Sequence, residues 1–229
     1  MTLLAEDLLW LLLDDDTGEP LVDKQCLSHA LAGALLIDLA APDRFSALAR
    51  VTGPGDPMRP GRLLVLDERE SGTWQADPVL VRAVELLRQR PLTPKQAIHK
   101  LEPGLRKTLL DRLCSRRQIL RQSDRLLGFI PITVWPTIDR DTKNALRQPL
   151  QHALLDAQRP RHRTLALISL LHVVHALPQQ CPGWRASVIN KHAEEIREQY
   201  TGSAWPADSV RQAICDSYAS TFTGRYRIP

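Results

Sequence analysis

Along the chain, apolar positions fall into helical stripes broken by aspartate, glycine and proline. Leu4, Leu8, Leu11 and Leu12 predict a first helix over Leu3–Leu13, with Thr2 as its cap. Leu9, Trp10 and Leu13 make it apolar nearly all round, which is the pattern of a central helix. "DDDTGEP" then breaks the chain, and Leu27, Leu31, Ala34, Leu35 and Leu39 stripe a second helix over Cys26–Ala41. Its small residues Ala30, Ala32, Gly33 and Ala34 allow another helix to approach closely.

"TGPGDPMRPG", Thr52 to Gly61, reads as a mobile loop, followed by a short strand or hairpin arm in "RLLVLDERESG". Asp77-Pro78 and Thr93-Pro94 each place a capping residue before a proline at the first helical position, opening helices to about Arg90 and Leu101. A helix over Leu105–Arg117 follows the Pro103-Gly104 break. "QILRQSDRLLGFIPITVW" reads as two strands around a polar turn at Gln122–Asp124. Four further helices are expected at Asp139–Gln158 (with Pro149 inside), Pro160–Leu177, Trp184–Tyr200 and Pro206–Ser220. The pattern predicts one compact, mainly helical domain over residues 1–229 with a single embedded β-hairpin.

Composition narrows this little, but charge does. The chain of 229 residues is 43% hydrophobic and 24% charged, which is ordinary for a folded domain. The formal charge of +4 hides a split: Met1–Asp43 carries nine acids against one base, Arg82–Arg125 twelve bases against four acids. Such a split means an anionic partner for the basic half, two halves that face each other, or solvated faces. The four cysteines are far apart in apolar contexts and read as reduced, buried thiols. "MTLLAEDLLWLLLDDD" has no basic leader and interrupts its apolar run with Glu6 and Asp7, so neither a signal peptide nor a span is expected. The expectation is a cytoplasmic protein whose membrane association, at the inner face, is peripheral.

Enzyme chemistry finds little support. His172 and His175 lie three apart in "LLHVVHAL" without a nearby acidic or cysteine ligand, so they read as satisfied core histidines. Asp14, Asp15 and Asp16 precede a Thr-Gly turn and lack the alternation of a calcium loop. No phosphate-binding glycine loop, nucleophile elbow or zinc-protease signature is present. Neither catalysis nor a cofactor or metal is expected.

The informative block is Thr93–Pro136. In it Leu105, Leu109, Leu110, Leu113 and Ile119 form a buried side, and Arg106, Lys107, Arg112, Arg116, Arg117 and Arg121 a positive one. A basic helix followed by a hairpin fits a winged-helix reader of nucleic acid. It also fits contact with an anionic phospholipid membrane, or a lipid-independent scaffold whose hairpin pairs with a partner protein or another copy. The return arm, Leu126, Leu127, Phe129, Ile130, Ile132, Val134 and Trp135, is apolar at nearly consecutive positions. One face of a hairpin buries half of these; the other half needs either a covering layer of helices or a non-aqueous partner. A nucleic-acid wing carries polar or basic residues at its tip, so beside the covered strand the arm favours membrane contact over nucleic acid.

In order and spacing, "LLAEDLLWLLLDDDTGEPLVD", "LSHALAGALLIDLA", "TPKQAIHKLEPGLRKTLLDRL", "LLGFIPITVWP" and "LALISLLHVVHAL" resemble the Golgi phosphoprotein 3 family, in the manner of its bacterial members. The resemblance runs over roughly Leu3–Ser220. It implies an all-α fold, a central helix bundle ringed by amphipathic helices, with a protruding hydrophobic β-hairpin. It further implies a non-enzymatic peripheral membrane protein. Eukaryotic members bind phosphatidylinositol 4-phosphate in a basic pocket beside the hairpin and act as adaptors that retain glycosyltransferases. The hairpin is implicated in membrane insertion or self-association. That pocket uses a tryptophan and three arginines; the corresponding positions here are Asp23, Ala32, Pro103 and Arg106, of which only Arg106 matches. The expected headgroup contacts are therefore Arg106, Lys107, Arg112, Arg116 and Arg117.

Overall fold

The computed structural model describes residues 2–40, 49–56, 58–66, 77–126, 130–156, 158–200 and 214–216. Its helices are α1 (Leu4–Leu11), α2 (Lys24–Ala40), α3 (Pro78–Arg88), α4 (Pro94–Leu101), α5 (Leu105–Ser115), α6 (Arg140–Leu155), α7 (His162–Val173) and α8 (Ala186–Tyr200). The strands β1 (Ala49–Val51) and β2 (Leu63–Val65) form one antiparallel pair, β3 (Gln122–Leu126) and β4 (Ile130–Val134) another. The architecture is mainly all-α with small hairpins. No described helix is long and apolar enough to cross a membrane.

Helix α1 is buried on every side, as its unbroken apolar surface predicts. It packs along α2, and α5, α6 and α7 close around it; α4 covers α2. The close approach needs the small residues of α2, and Ala30, Ala32, Gly33 and Ala34 are all buried. Thr2 is not the cap of α1. Leu3 takes that position, and the Glu6 carboxylate accepts from the Leu3 N–H at 2.7 Å. Asp38 of α2 accepts from the Leu4 N–H at 2.7 Å, placing a second carboxylate at the positive end of the helix.

The proline-marked starts hold. Asp77 accepts from Val79 N–H at 3.0 Å, and Thr93 and Gln96 form a reciprocal capping box. Asp139 caps α6, which continues through Pro149. The 52–61 segment, expected to be a mobile loop, joins β1 to β2 and is bonded across itself. Thr52 Oγ1 donates to the Arg59 carbonyl at 2.7 Å, and the Arg50 guanidinium grips Asp56 with both terminal nitrogens. The expected helix at Pro206–Ser220 lies outside the described residues except for 214–216.

His172 and His175 are not two core histidines of one helix. Helix α7 ends at Val173, His172 Nε2 lies 2.9 Å from Glu194, and His175 is exposed with φ 57°. Burial of all four thiols also fails: Cys26 and Cys181 are buried, Cys114 is half-buried and Cys215 is exposed.

The aspartate run is a turn, as read from the sequence. Asp14 Oδ1 accepts from the N–H groups of Asp16 and Thr17, at 3.0 and 2.7 Å. Its neighbours tie this turn to α6: Asp15 receives Arg147 through two bonds of 2.7 and 2.8 Å and lies 2.5 Å from Lys143 Nζ, and Asp16 pairs with Arg140. Lys143 is fully buried, donating also to the Leu13 carbonyl at 2.7 Å and Thr137 Oγ1 at 3.3 Å. Burial pushes the Asp15 carboxyl up, but the bonds from Arg147 and Lys143 outweigh it and hold the group at about 2, below its ordinary 3.8. A depressed carboxyl stabilises the fold above its unfolded value and loses that contribution as pH falls through the folded one. Acidification from pH 3.8 toward about 2 is therefore expected to destabilise the protein. The check is the urea midpoint against pH, whose acid limb should flatten in Asp15→Asn.

The basic helix and the β3–β4 hairpin as the candidate functional site

The candidate site is built where α5 meets the root of the β3–β4 hairpin. Gly104, with φ 79°, turns the chain out of α4, and Leu105, Leu109, Leu110 and Leu113 bury one side of α5. The helix ends in a Schellman motif: Gln118 N–H donates to the Leu113 carbonyl at 3.0 Å and Arg117 N–H to the Cys114 carbonyl at 2.9 Å. Arg117 takes the left-handed position of that motif, φ 57°, usually a glycine's.

The positive face of α5 divides in two. Arg112 is bound inward: Nε is 2.6 Å from Glu6 Oε1, and the two terminal nitrogens each lie 2.8 Å from an Asp77 oxygen. Arg116 reaches the same Glu6 oxygen at 3.0 Å. Glu6 itself is 0% exposed. Burial would raise the Asp77 carboxyl, but the bidentate hold of Arg112 brings it below the usual range. The same bonds, Asp77 first, push the Arg112 guanidinium still higher than normal. Arg112, expected at a headgroup, is instead the bridge between α1, α3 and α5, and Arg116 is partly committed to the same carboxylate. The physical reason is Glu6: a buried carboxylate must be paired, and α5 supplies the cations.

The remaining cations are differently placed. Lys107 and Arg117 are exposed. Arg106 is half-buried, its guanidinium carbon 5.3 Å from the centre of the Trp135 ring, within cation–π range. Its Nε is buried without a hydrogen-bond partner among the described residues, and burial pulls its pKa down.

The hairpin differs from the sequence expectation in register. Gln122–Asp124 is not the turn but the start of β3; Gln122 pairs with Val134, Asp124 with Ile132 and Leu126 with Ile130. The connection between strands is residues 127–129, so Leu127 and Phe129 lie outside the described residues. Leu126 and Ile130 form the last pair of the ladder, at its distal end. Ile132 is half-buried, and Val134 and Trp135, expected at a membrane face, pack at the root instead: Val134 is 5% exposed and Trp135 lies half-buried on the core. The root is bolted down by backbone bonds. Trp135 N–H donates to the Gly18 carbonyl at 3.2 Å, Leu120 N–H to the Pro136 carbonyl at 3.0 Å and Thr137 N–H to the Asp15 carbonyl at 3.1 Å.

Two side-chain contacts of this region escaped the sequence reading. The stacking of Arg106 on Trp135 joins residues with no periodic relation. The Glu6–Arg112–Asp77 bridge did have a signal, an acid inside an apolar helix, which by burial arithmetic demands a cation.

At the four positions that the resemblance aligns with a phosphoinositide pocket, the structure shows the following. Asp23 Oδ1 accepts from Gln25 and Cys26 N–H at 2.9 Å, Ala32 is wholly buried, and Pro103 is exposed in the α4–α5 turn. Only Arg106 offers a cation.

No curated protein matches the chain. Residues 4–216 match the family model described as Golgi phosphoprotein 3 (GPP34), a span that takes in the central helices, the basic helix and the hairpin. By this match the chain belongs to the Golgi phosphoprotein 3 family.

Proposed function

We propose that the protein is a peripheral membrane-binding module that docks on anionic phospholipid without catalysing a reaction. Arg106, Lys107 and Arg117 supply the headgroup contacts, and the apolar run Leu126, Leu127, Phe129 and Ile130 supplies the apolar contact. One observation carries the reading: the half-buried Arg106 guanidinium stacks on Trp135 at a hairpin root that is bonded to the core, and the next residue, Lys107, is exposed. The hairpin's five-residue strands carry an apolar pair, Leu126 and Ile130, to the far end. At roughly 3.4 Å per residue, that end extends about 17 Å from the root. Arg112 is not among the contacts, being spent on Glu6 and Asp77.

A nucleic-acid reading loses ground for the same reason, since a recognition helix needs its cations free for bases and phosphates. With three of the four pocket positions lacking a cation, selection by charge rather than by phosphoinositide headgroup is expected.

Flotation with liposomes tests this. Recovery should be high with vesicles containing phosphatidylglycerol or phosphatidylserine, low with neutral phosphatidylcholine, and weakened by salt. Phosphatidylinositol 4-phosphate at matched charge should give no advantage. Each cation near an acidic bilayer is worth ~1 kcal/mol, so Arg106→Gln/Lys107→Gln should weaken partitioning by about 2 kcal/mol, roughly 30-fold. Equal recovery on neutral and anionic vesicles would defeat the electrostatic reading. A concentration-dependent dimer that ignores lipid would replace it with self-association.

A further inference from the structure

Away from the basic face, His29 on α2 and His99 and Glu102 at the C-terminal end of α4 bring three ligand atoms together, all within 4.8 Å of one another. Nothing in the lipid reading uses them. His29 is 4% exposed, and its Nδ1 lies 2.7 Å from the Gln25 carbonyl. A carbonyl oxygen only accepts, so Nδ1 carries the proton and neutral His29 presents the bare lone pair of Nε2. That lone pair faces Glu102 Oε1 at 3.5 Å. Both atoms are buried and neither has a hydrogen-bond partner among the described residues. His99 Nδ1 approaches the same carboxylate oxygen at 3.4 Å, its side chain half-exposed. Two acceptors pointed at each other in a buried place repel unless a positive centre sits between them.

We propose that His29, His99 and Glu102 form a binding site for a zinc-class divalent cation that ties α2 to α4. Two imidazoles and a carboxylate are a zinc-type donor set, and they disfavour magnesium and calcium, which take oxygen ligands. The spacing fits: ligands at ~2.05 Å from a tetrahedral zinc stand about 3.3–3.4 Å apart. Two edges of the triangle already measure 3.5 and 3.4 Å. The His29–His99 edge lies within 4.8 Å, the two rings meeting edge to face with centroids 5.0 Å apart, and the His99 side chain is half-exposed. The Gln25 carbonyl behind His29 is the outer partner that ligating histidines require, fixing both tautomer and ring orientation. Water completes the fourth position. His99 lies in the last turn of α4 and Glu102, three residues on, caps it with helical dihedrals, so the two present to the same side and act as one clamp against His29. Glu102 directly precedes the Pro103-Gly104 turn, so the cation sits at the start of the basic helix.

The test uses the full chain stripped with a chelator and titrated with zinc chloride by calorimetry, with magnesium chloride in parallel. Cobalt(II) serves as a spectroscopic probe of tetrahedral geometry. The expected result is one zinc per chain at micromolar affinity or tighter, a raised Tm with zinc but not magnesium, and a tetrahedral cobalt absorption band. His99→Ala and Glu102→Gln, whose folds are checked by circular dichroism, should each weaken zinc binding at least tenfold and lose the cobalt band. The proposal falls if the wild type takes up no zinc, or if both variants bind it within twofold of wild type. It falls equally if nuclear magnetic resonance shows His29 doubly protonated at neutral pH in the zinc-treated protein. A proton, rather than a metal, would then be what holds His29 against Glu102.

Discussion

Gly18→Ala is expected to cost about 4 kcal/mol or more, lowering Tm by roughly 8–16 °C at the ~2–4 °C per kcal/mol typical of a chain this size. Two effects add. Gly18 holds φ 67°, where a side chain costs about 1–2 kcal/mol. A Cβ built there lies 2.1 Å from the Trp135 carbonyl carbon and from Pro136 N, and 2.4 Å from Trp135 N. These are backbone atoms, not flexible side-chain ends, so relief requires the hairpin root to leave the 14–20 turn. The Gly18 carbonyl would then lose the Trp135 N–H, and the shared hydroxyl of Thr137 would move away from Trp10 Nε1 and Lys143 Nζ, each now 3.3 Å away. Lys143 would be left buried with fewer partners. Gly104→Ala is the internal control: φ is 79°, but a Cβ there meets nothing within 4 Å. It should cost only the conformational strain, about 1–2 kcal/mol. Scanning calorimetry of both variants separates steric exclusion from strain, and equal losses would refute the close docking of the hairpin on Gly18.

Arg112→Met should destabilise the fold by about 3 kcal/mol while leaving liposome recovery of the folded fraction unchanged. Removing one partner of a buried ion pair costs about 3–5 kcal/mol because the other charge is left uncompensated. Here Glu6 is fully buried and retains Arg116 at 3.0 Å, which places the loss at the lower end. Asp77 also loses its bidentate partner, loosening the start of α3. Urea denaturation gives the magnitude. A double-mutant cycle identifies the cause, since Glu6→Leu combined with Arg112→Met removes the orphaned charge and should recover part of the loss. A single-variant cost under about 1 kcal/mol, or a drop in lipid recovery matching that of Arg106→Gln/Lys107→Gln, would return Arg112 to the lipid-facing set.

These two sites show where sequence reading stops. The starts of α3, α4 and α6 were legible because Asp77-Pro78, Thr93-Pro94 and Asp139 satisfy orphan helix donors locally, within three residues. The burial of α1 was legible because an all-round apolar helix has no other stable location. The turn of the hairpin was misread because Gln122–Asp124 has turn composition, yet register answers to long-range bonds. Ile119 bridges to Thr137, Leu120 bonds Pro136, and Trp135 bonds Gly18 across the molecule. Once those are made, Gln122 lies opposite Val134 and the connection falls at 127–129.

The basic stretch shows the same division. That Arg106, Lys107, Arg112, Arg116 and Arg117 lie on or beside one helix follows from spacing alone. Which of them remain available for a partner does not, because pairing depends on what the other helices bring near. Glu6 and Asp77 claim Arg112, Glu6 shares Arg116, Trp135 covers Arg106, and Lys107 and Arg117 stay exposed. The order of helices and the starts at Asp77, Thr93 and Asp139 were thus determined by the sequence itself, through interactions no longer than a helical turn, and the central position of α1 by its nearly unbroken apolar surface. The hairpin register, the division of the cations and the convergence of His29 with His99 and Glu102 were decided only by tertiary structure. Each rests on groups far apart in the chain, whose meeting is set by packing around α1 and α2 rather than by any local preference.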